Sequence, residues 1–346
     1  MRTASAARAW WGAVMCTAML AGCSAAATST GAPSPADEPS ALPSAVASDR
    51  PVAALRSSTG LQGASLNGVA ASGEGMVAVG AGPNAAAWTS TDGVAWRPVE
   101  VAGADDVDAL HAVGFDGDGV VFGAVDPDPS RVWSASAGSQ PWQPADSDGI
   151  DGRVNAVAVG GGRWVAAGDL VDAESGSATA GAVWTSDDGR QWESVAELPL
   201  NEGTVSDVVI AGDTVVVVGF DLDGGKVWTS VDGGDLDAVD GGAFAAATIQ
   251  GVAHTGAGYV ALGRTLGDLR PVVWTSEDAV AWSRQDLPAD AFAPDLQIND
   301  LATVDGVLVA VGAAPEGGAV WTSGDGASWT LHAPGAGSAS ATDNAS

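Results

Sequence analysis

The feature that most constrains this chain is a tryptophan that returns at nearly even intervals. Trp88, Trp133, Trp184, Trp228, Trp274 and Trp321 each follow a Val or Ala and precede a Thr or Ser. Their spacings are 45, 51, 44, 46 and 47 residues. A period of this size marks a repeat architecture, in which each unit buries its apolar faces against its neighbours. Upstream of each Trp lies a second recurring stretch, such as "LNGVAASGEGMVAVG" at 66–80, "VNAVAVGGGRWVAAG" at 154–168 and "INDLATVDGVLVAVG" at 298–312. Each reads as a short strand, a Gly- or Asp-containing turn and a second apolar strand. The Val-Trp-Thr-Ser segment is a third strand, and the residues after the next turn are a fourth.

Four antiparallel strands in about 46 residues match a propeller blade. The pattern predicts an all-β fold, a six-bladed β-propeller over 61–334. Its units cover 61–103, 104–149, 150–200, 201–245, 246–294 and 295–334. A closed ring leaves little strand edge exposed. Pro98, Pro144 and Pro199 fall at or beyond the fourth strand, where an outer edge tolerates a missing N–H. An open β-solenoid fits less well, because its coils are usually shorter. The 48 Gly and 14 Trp suit turn-dense β structure. With Lys+Arg 13 against Asp+Glu 43, the formal net charge is −30. Such a surface repels phosphate backbones, so nucleic acid is not an expected partner, and it favours solubility.

Residues 1–22 combine Arg2 and Arg8 with an apolar run from Ala9 to Ala21. That reads as a secretory signal, too short for an ordinary membrane span. It ends in Leu20-Ala21-Gly22-Cys23, which resembles the bacterial lipoprotein signal. The resemblance implies cleavage before Cys23 and attachment of a diacylglyceryl group to its thiol, with acyl chains including palmitate. Cys16, the other cysteine, lies inside the signal, so the mature chain is expected to carry one thiol and no internal disulfide. Residues 23–60 read as a lipidated Cys followed by a flexible Ala/Ser/Pro tether, and 335–346 as a structureless tail. The expected location is the cell membrane, lipid-anchored, facing the extracytoplasmic side.

Between the third and fourth strands a polar motif recurs: Ser90, Asp92, Gly93 and Trp96; Ser186, Asp188, Gly189 and Trp192; Ser323, Asp325, Gly326 and Trp329. Ser and Asp suit hydrogen bonds to backbone amides in a tight turn, Gly suits the strained position, and the indole covers the turn. The motif resembles the Asp-box, or bacterial neuraminidase (BNR) repeat, Ser-x-Asp-x-Gly-x-x-Trp, in a form one residue shorter. The resemblance spans about 61–334. It implies a peripheral structural role and a propeller, but no particular activity, because sialidases, sortilin-type receptors and assembly factors share it. Decayed copies agree with a local role: Ser136-Ala137-Gly138 in unit two, Leu236 for the second Trp in unit four, and Ala279 for Gly in unit five.

Sialidase chemistry requires an arginine triad, a Tyr nucleophile paired with Glu, and an Asp acid/base. The nearest match to the Arg-Ile-Pro motif, Asp49-Arg50-Pro51, lies in the tether, and Tyr259 matches Trp164 in a repeat-equivalent strand position that suits packing. Arg153, Arg163, Arg264 and Arg270 are the candidate basic groups. No catalytic set is complete, so no catalytic residue is assigned. His111 and His254 read as similarly placed on first strands, facing the central channel. No zinc-ligand spacing appears. No cofactor is required; Ca²⁺ is the one ion the acidic loops suggest, with Asp116, Asp118, Asp221 and Asp223 as candidate ligands. The longest insert is 169–181. With 124–130, 220–225, 264–271 and 313–318 it is expected to ring one rim, where Arg264, Asp268 and Arg270 form a basic patch and candidate binding site. The expectation is a non-enzymatic surface lipoprotein that binds or scaffolds a protein or cell-wall glycan; the alternative is a glycan-active hydrolase of sialidase-like type. A hydrolase requires carboxylates and basic groups converging in the central depression.

Replacing Cys23→Ser is expected to abolish incorporation of an alkyne fatty acid and move the protein from the membrane fraction to the medium. Undiminished labelling of the variant overturns the lipoprotein assignment.

Overall fold

The computed structural model describes residues 61–332 except 62, 73–74, 83–84, 92–95, 106, 116–118, 126–127, 136–140, 147, 173, 232, 288–296 and 315–316. Cys23, the tether, Asp92, Gly93, Asp116, Asp118 and the C-terminal tail therefore lie outside the described residues. Sheet one contains β1 (Ser65–Ser72), β2 (Gly75–Ala81), β3 (Ala85–Ser90) and β4 (Arg97–Val99). Sheet two contains β5 (Ala109–Phe115), β6 (Gly119–Val125), β7 (Asp128–Ala135) and β8 (Gln143–Ala145). Sheet three contains β9 (Arg153–Gly160), β10 (Arg163–Val171), β11 (Ala178–Ser186) and β12 (Glu193–Leu198). Sheet four contains β13 (Thr204–Ala211), β14 (Thr214–Asp221), β15 (Gly224–Ser230) and β16 (Asp237–Ala238), followed by a 3₁₀ turn at Gly241–Phe244. Sheet five contains β17 (Ala247–His254), β18 (Tyr259–Thr265), β19 (Pro271–Ser276) and β20 (Ser283–Asp286). Sheet six contains β21 (Gln297–Val304), β22 (Val307–Ala314), β23 (Gly317–Ser323) and β24 (Thr330–His332).

Within each sheet the strands are hydrogen-bonded in chain order, and every pairing is antiparallel. The first strands meet in a cycle: β1 touches β5, β5 touches β9, and so on to β21, which touches β1. The protein is a β-propeller built from four-stranded antiparallel blades. Among the described residues no helix is long and apolar enough to cross a membrane.

The core is divided among the seams between successive sheets, and each seam holds one of the recurring tryptophans. Trp133 packs with Val77 and Val79 of the preceding sheet, Trp184 with Ala112 and Val132, and Trp228 with Val165 and Val183. Trp274 packs with Val216 and Val218, and Trp321 with Leu262 and Val273. Trp88 packs with Val309 and Val311, closing sheet six onto sheet one. Within their own sheets the indoles of Trp88, Trp184, Trp228, Trp274 and Trp321 face a small or β-branched partner: Ala78, Ala166, Val217, Ala261 and Ala310. Alternating a large residue with a small one keeps each seam closely packed. Burying an aromatic of this size is worth roughly 3–5 kcal/mol relative to truncation.

Every first strand carries a β-bulge at one equivalent place. The unpaired residue is Asn67, His111, Asn155, Ser206, Gln250 or Asn299. The bulge bends the strand and drives its carbonyls toward the end of the second strand. That explains the Gly that ends each "VAVG"-type run. A Cβ on Gly80, Gly168, Gly263 or Gly312 would sit within 2 Å of a first-strand carbonyl oxygen. Gly312→Ala meets the Gln297 oxygen at 1.8 Å, whereas Gly324 has open space around it. The expected loss for Gly312→Ala is at least about 1–3 kcal/mol, the cost of overpacking a rigid site, with Gly324→Ala nearly neutral. Thermal unfolding of the two variants checks this; equal melting temperatures would contradict the packing argument.

Candidate functional site

The recurring polar motif turns the chain between the third and fourth strands. Ser186 Oγ accepts hydrogen bonds from the amides of Asp188 (3.2 Å) and Gly189 (2.9 Å), and its hydroxyl donates to Asp188 Oδ1 at 3.1 Å. Asp188 Oδ1 in turn accepts from the amides of Arg190 and Gln191. Ser323 and Asp325 repeat the pattern with Asp325, Gly326, Ala327 and Ser328. Gly189 and Gly326 have φ of 70° and 72°, and Ala279 takes the same place at 63°. Sheet five thus keeps the turn, with Ser276 and Asp278, at the strain of a left-handed Ala. The closing indoles of Trp282 and Trp329 donate to the carbonyls of Ala279 and Gly326. Sheet four lacks the second indole; Leu236 packs against its seam instead, and Ser230 donates to the Gly234 carbonyl. The Gln191 and Arg190 amides hold the Asp188 carboxyl below its ordinary range, and the Ala281 and Val280 amides do the same for Asp278. Ser90 and Trp96 are buried at the end of β3 and in the seam between sheets six and one. The turns of Ser186, Ser230, Ser276 and Ser323 each bond within themselves, so these groups do not converge.

The turns after the second strands lie on the edge of the ring where the first strands begin. Arg264 is on β18, with Asp268 and Arg270 in the turn that follows. Arg270 Nε donates to Asp268 Oδ2 at 2.6 Å, the Thr265 hydroxyl donates to Asp268 Oδ1, and the Arg270 amide donates to Thr265 Oγ1. Asp268 thus pairs with Arg270 inside this turn, while Arg264 stands half-buried on the strand before it. On the preceding sheet, Asp221 accepts from the amides of Asn201 and Asp223 and pairs with Lys226 at 3.2 Å, while Asp223 lies 3.9 Å from the same ammonium. Lys226 thus lies within ion-pair distance of both carboxylates. Among the described residues no three His, Cys, Asp or Glu side chains converge as a metal site needs. What these two turns do expose is leucine: Leu222 at 66%, Leu266 at 47% and Leu269 at 59%.

His111 and His254 are not similarly placed. His111 is the bulge residue near the start of β5, whereas His254 is the last residue of β17, against the ring of Tyr259 at 4.9 Å. The shared "first strand" pattern hid a difference of several residues along it. Tyr259 is buried in the seam between sheets four and five.

Titratable groups from non-adjacent sheets meet in the axial channel, a cavity of about 240 Å³ lined by all six first strands. Just after the bulge the first strands present Gly68, Ala112, Ala156, Asp207, Gly251 and Asp300. Asp207 is buried, and Asp300 is enclosed by protein with part of its surface open to the channel. The two carboxyls hydrogen-bond to each other. Asp207 also accepts from the amides of Val208 and, on the next sheet, Val252, both at 2.7 Å. Asp300 accepts from Leu301 and, across the junction of sheets six and one, from Val69, again at 2.7 Å. Burial, reinforced for Asp207 by the Asp300 charge, pushes Asp207 well above the carboxylate range and Asp300 up to about 7. The bulge asparagines add parallel ties: Asn67 donates to Leu110 O, Asn155 to Val205 O and Asn299 to Leu66 O, each on the following sheet. These residues stand in the recurring runs as Leu-Asn, Val-Asn, Val-Ser-Asp and Ile-Asn-Asp. Aligning the repeats by the second and third residues of the first strand was the signal that exposes them.

No protein-family model matches the chain, and no curated protein sequence matches it. Solved structures do match in fold. The xyloglucanase of glycoside hydrolase family 74 from Xanthomonas campestris aligns at 16% identity and TM-score 0.52, covering 80% of this chain and 46% of that one. This chain thus spans about half that enzyme's length. YCF48 bound to D1 peptide aligns at 16% identity and TM-score 0.49, covering 80% and 82%. These similarities concern the propeller fold.

Truncating Ser323→Ala removes an acceptor for two amides, one of them buried. The expected cost is about 1–3 kcal/mol, with binding and spectroscopic properties of the other sheets unchanged. Chemical denaturation with site-resolved hydrogen exchange measures it; a loss spread evenly around the ring would refute a local role.

Proposed function

We propose that this chain is a lipid-anchored, six-bladed propeller on the extracytoplasmic side of the cell membrane, tethered through Cys23, which binds a protein partner and catalyses no reaction itself. The observation that carries this reading is how the convergent carboxyls are employed. Asp207 and Asp300 are bonded to each other and to four backbone amides. Retaining glycosidases hold their carboxyls about 5–5.5 Å apart, and inverting ones farther, to admit the scissile bond. A directly hydrogen-bonded pair leaves no such gap. The groups lining the channel include no Lys or Arg among the described residues, so a substrate carboxylate would find no clamp there.

Binding, by contrast, has surface to use. Leu222, Leu266 and Leu269 project from equivalent turns of neighbouring sheets, beside the Asp221–Lys226 and Asp268–Arg270 pairs. Apolar side chains rimmed by fixed charges suit a protein partner. A wall glycan is served less well, because sugar rings stack on exposed aromatic faces, and the exposed large apolar side chains described here are Val and Leu.

The test places a photo-crosslinking residue at position 222 or 269 in the membrane-bound protein. A discrete protein adduct is expected from both positions and from neither Val195 nor Leu331, which are exposed on outer strands. Leu222→Asp with Leu269→Asp is expected to abolish adducts from a probe at 266. Equal crosslinking from all positions, or release of reducing sugar from cell-wall glycan by the purified protein, overturns the proposal.

A further inference from the structure

A second hollow lies away from the axis, against sheet four. It is a cleft of about 470 Å³, larger than the axial channel. Three pieces of chain line it: the stretch 199–201 that leaves sheet three, Asp221 and Asp223 with the first half of β15, and the residues at and after the end of β16. The cleft lies where sheet four is narrowest. Its fourth strand has two residues, against three to six in the other five sheets. β16 pairs only with Trp228 and Thr229, and the cleft reaches the residues before them, Gly225, Lys226 and Val227.

Leu200, Val227, Trp228 and Val239 give the cleft an apolar lining. Leu200 and Val239 also pack into the seams on either side of sheet four, so the lining is held in place by the fold itself. A preformed apolar hollow binds without the cost of ordering its own walls. The charges around it are of one sign. Lys226 is the only basic residue in the stretches 199–203, 221–228 and 235–241. It is paired at 3.2 Å with Asp221, whose side chain is 3% exposed. Asp223, with a side chain 68% exposed, stands 3.9 Å from the same ammonium. Glu202, next to the lining residue Asn201, and Asp240, between Val239 and Gly241, are exposed as well.

We propose that this cleft is the anchor pocket of the partner-binding surface: it takes one apolar side chain from a basic segment of the partner protein, whose flanking Lys or Arg residues meet Glu202, Asp223 and Asp240. The inference rests on the reading of this chain as a protein-binding propeller, and names the chemistry of the partner. An apolar side chain moved from water into a fixed pocket is the usual source of affinity at an interface. Unlike charges at its rim steer encounter and select the partner. An acidic segment would meet like charge here, within a chain of net charge −30. Leu222 stands between two of the lining carboxylates, so a segment anchored in the cleft continues onto the rim of Leu222, Leu266 and Leu269.

The probe is a short synthetic peptide, acetyl-Gly-Lys-photoleucine-Lys-Gly-amide, with a twin that carries Glu in place of Lys. Each is irradiated with the full-length protein in phosphatidylcholine vesicles, which have no net charge, and adducts are located by mass spectrometry. The Lys peptide is expected to label 199–201, 226–228 or 238–241 at least about tenfold more than its Glu twin, and the excess is expected to shrink at about 1 M salt. Gly241 lines the cleft, and a Cβ there meets nothing within 4 Å. Gly241→Trp is therefore expected to leave the melting temperature unchanged while lowering labelling at least about tenfold. Should that variant fold poorly, Glu202→Lys with Asp223→Lys supplies the second test, with the preference reversed toward the Glu twin. Equal labelling by the two peptides, or undiminished labelling of a folded Gly241→Trp protein, overturns the inference. Partner adducts from positions 222 and 269 without that peptide preference would sink the pocket alone and leave protein binding standing.

Discussion

Packing of an indole between neighbouring sheets is the contact on which everything else here rests. A four-stranded sheet of this size has two apolar faces and cannot bury either alone. The Trp of each third strand supplies one side of a seam, and valines of the preceding sheet supply the other. Six such seams replace the single central core of most domains. This arrangement explains why the tryptophans recur with so little variation while the connecting loops differ in length and composition. It also explains why the fourth strand can shrink to Asp237–Ala238 without opening the ring. That strand lies outside the seam, and Leu236 packs there in place of the missing indole.

Polar ties refine what the seams hold. Near the axis the first strands come too close for wide side chains, and the bulge leaves one residue per strand unpaired. Asn67, Asn155 and Asn299 use that residue to reach the next sheet, and Asp207 and Asp300 do so from the following position. A buried carboxyl is costly unless its oxygens are satisfied. Here each carboxyl receives two amides and its partner. The chain thus places its least favourable buried charges where sheets must be held together, and leaves most of its acidic residues at the surface.

Much of this fold was legible in the sequence, because period, turn chemistry and apolar alternation are local signals. The Trp spacing delimits the sheets, and the Ser-x-Asp-Gly copies mark the turns that Ser186 and Ser323 in fact close. The terminal Gly of each second strand was visible too, although its reason was not, since that reason is a carbonyl from a strand some 15 residues earlier. The candidate site was less legible. Arg264, Asp268 and Arg270 look basic in one dimension, but whether a carboxylate neutralises a guanidinium depends on the turn that brings them together. His111 and His254 differ in position along their strands because the bulge is invisible in composition. The Asp207–Asp300 pair is a meeting of residues from non-adjacent sheets, and only ring closure places them face to face.

A chain in which every sheet is contiguous has no privileged beginning. Cutting the linker between any two sheets and joining the original ends leaves each hydrogen-bonded ladder whole. In-frame duplication or deletion of one tryptophan-containing unit likewise breaks no strand. Such a lineage is free to change its number of blades in single genetic steps, with the fit of the two flanking indole seams as the chief physical test of each new ring.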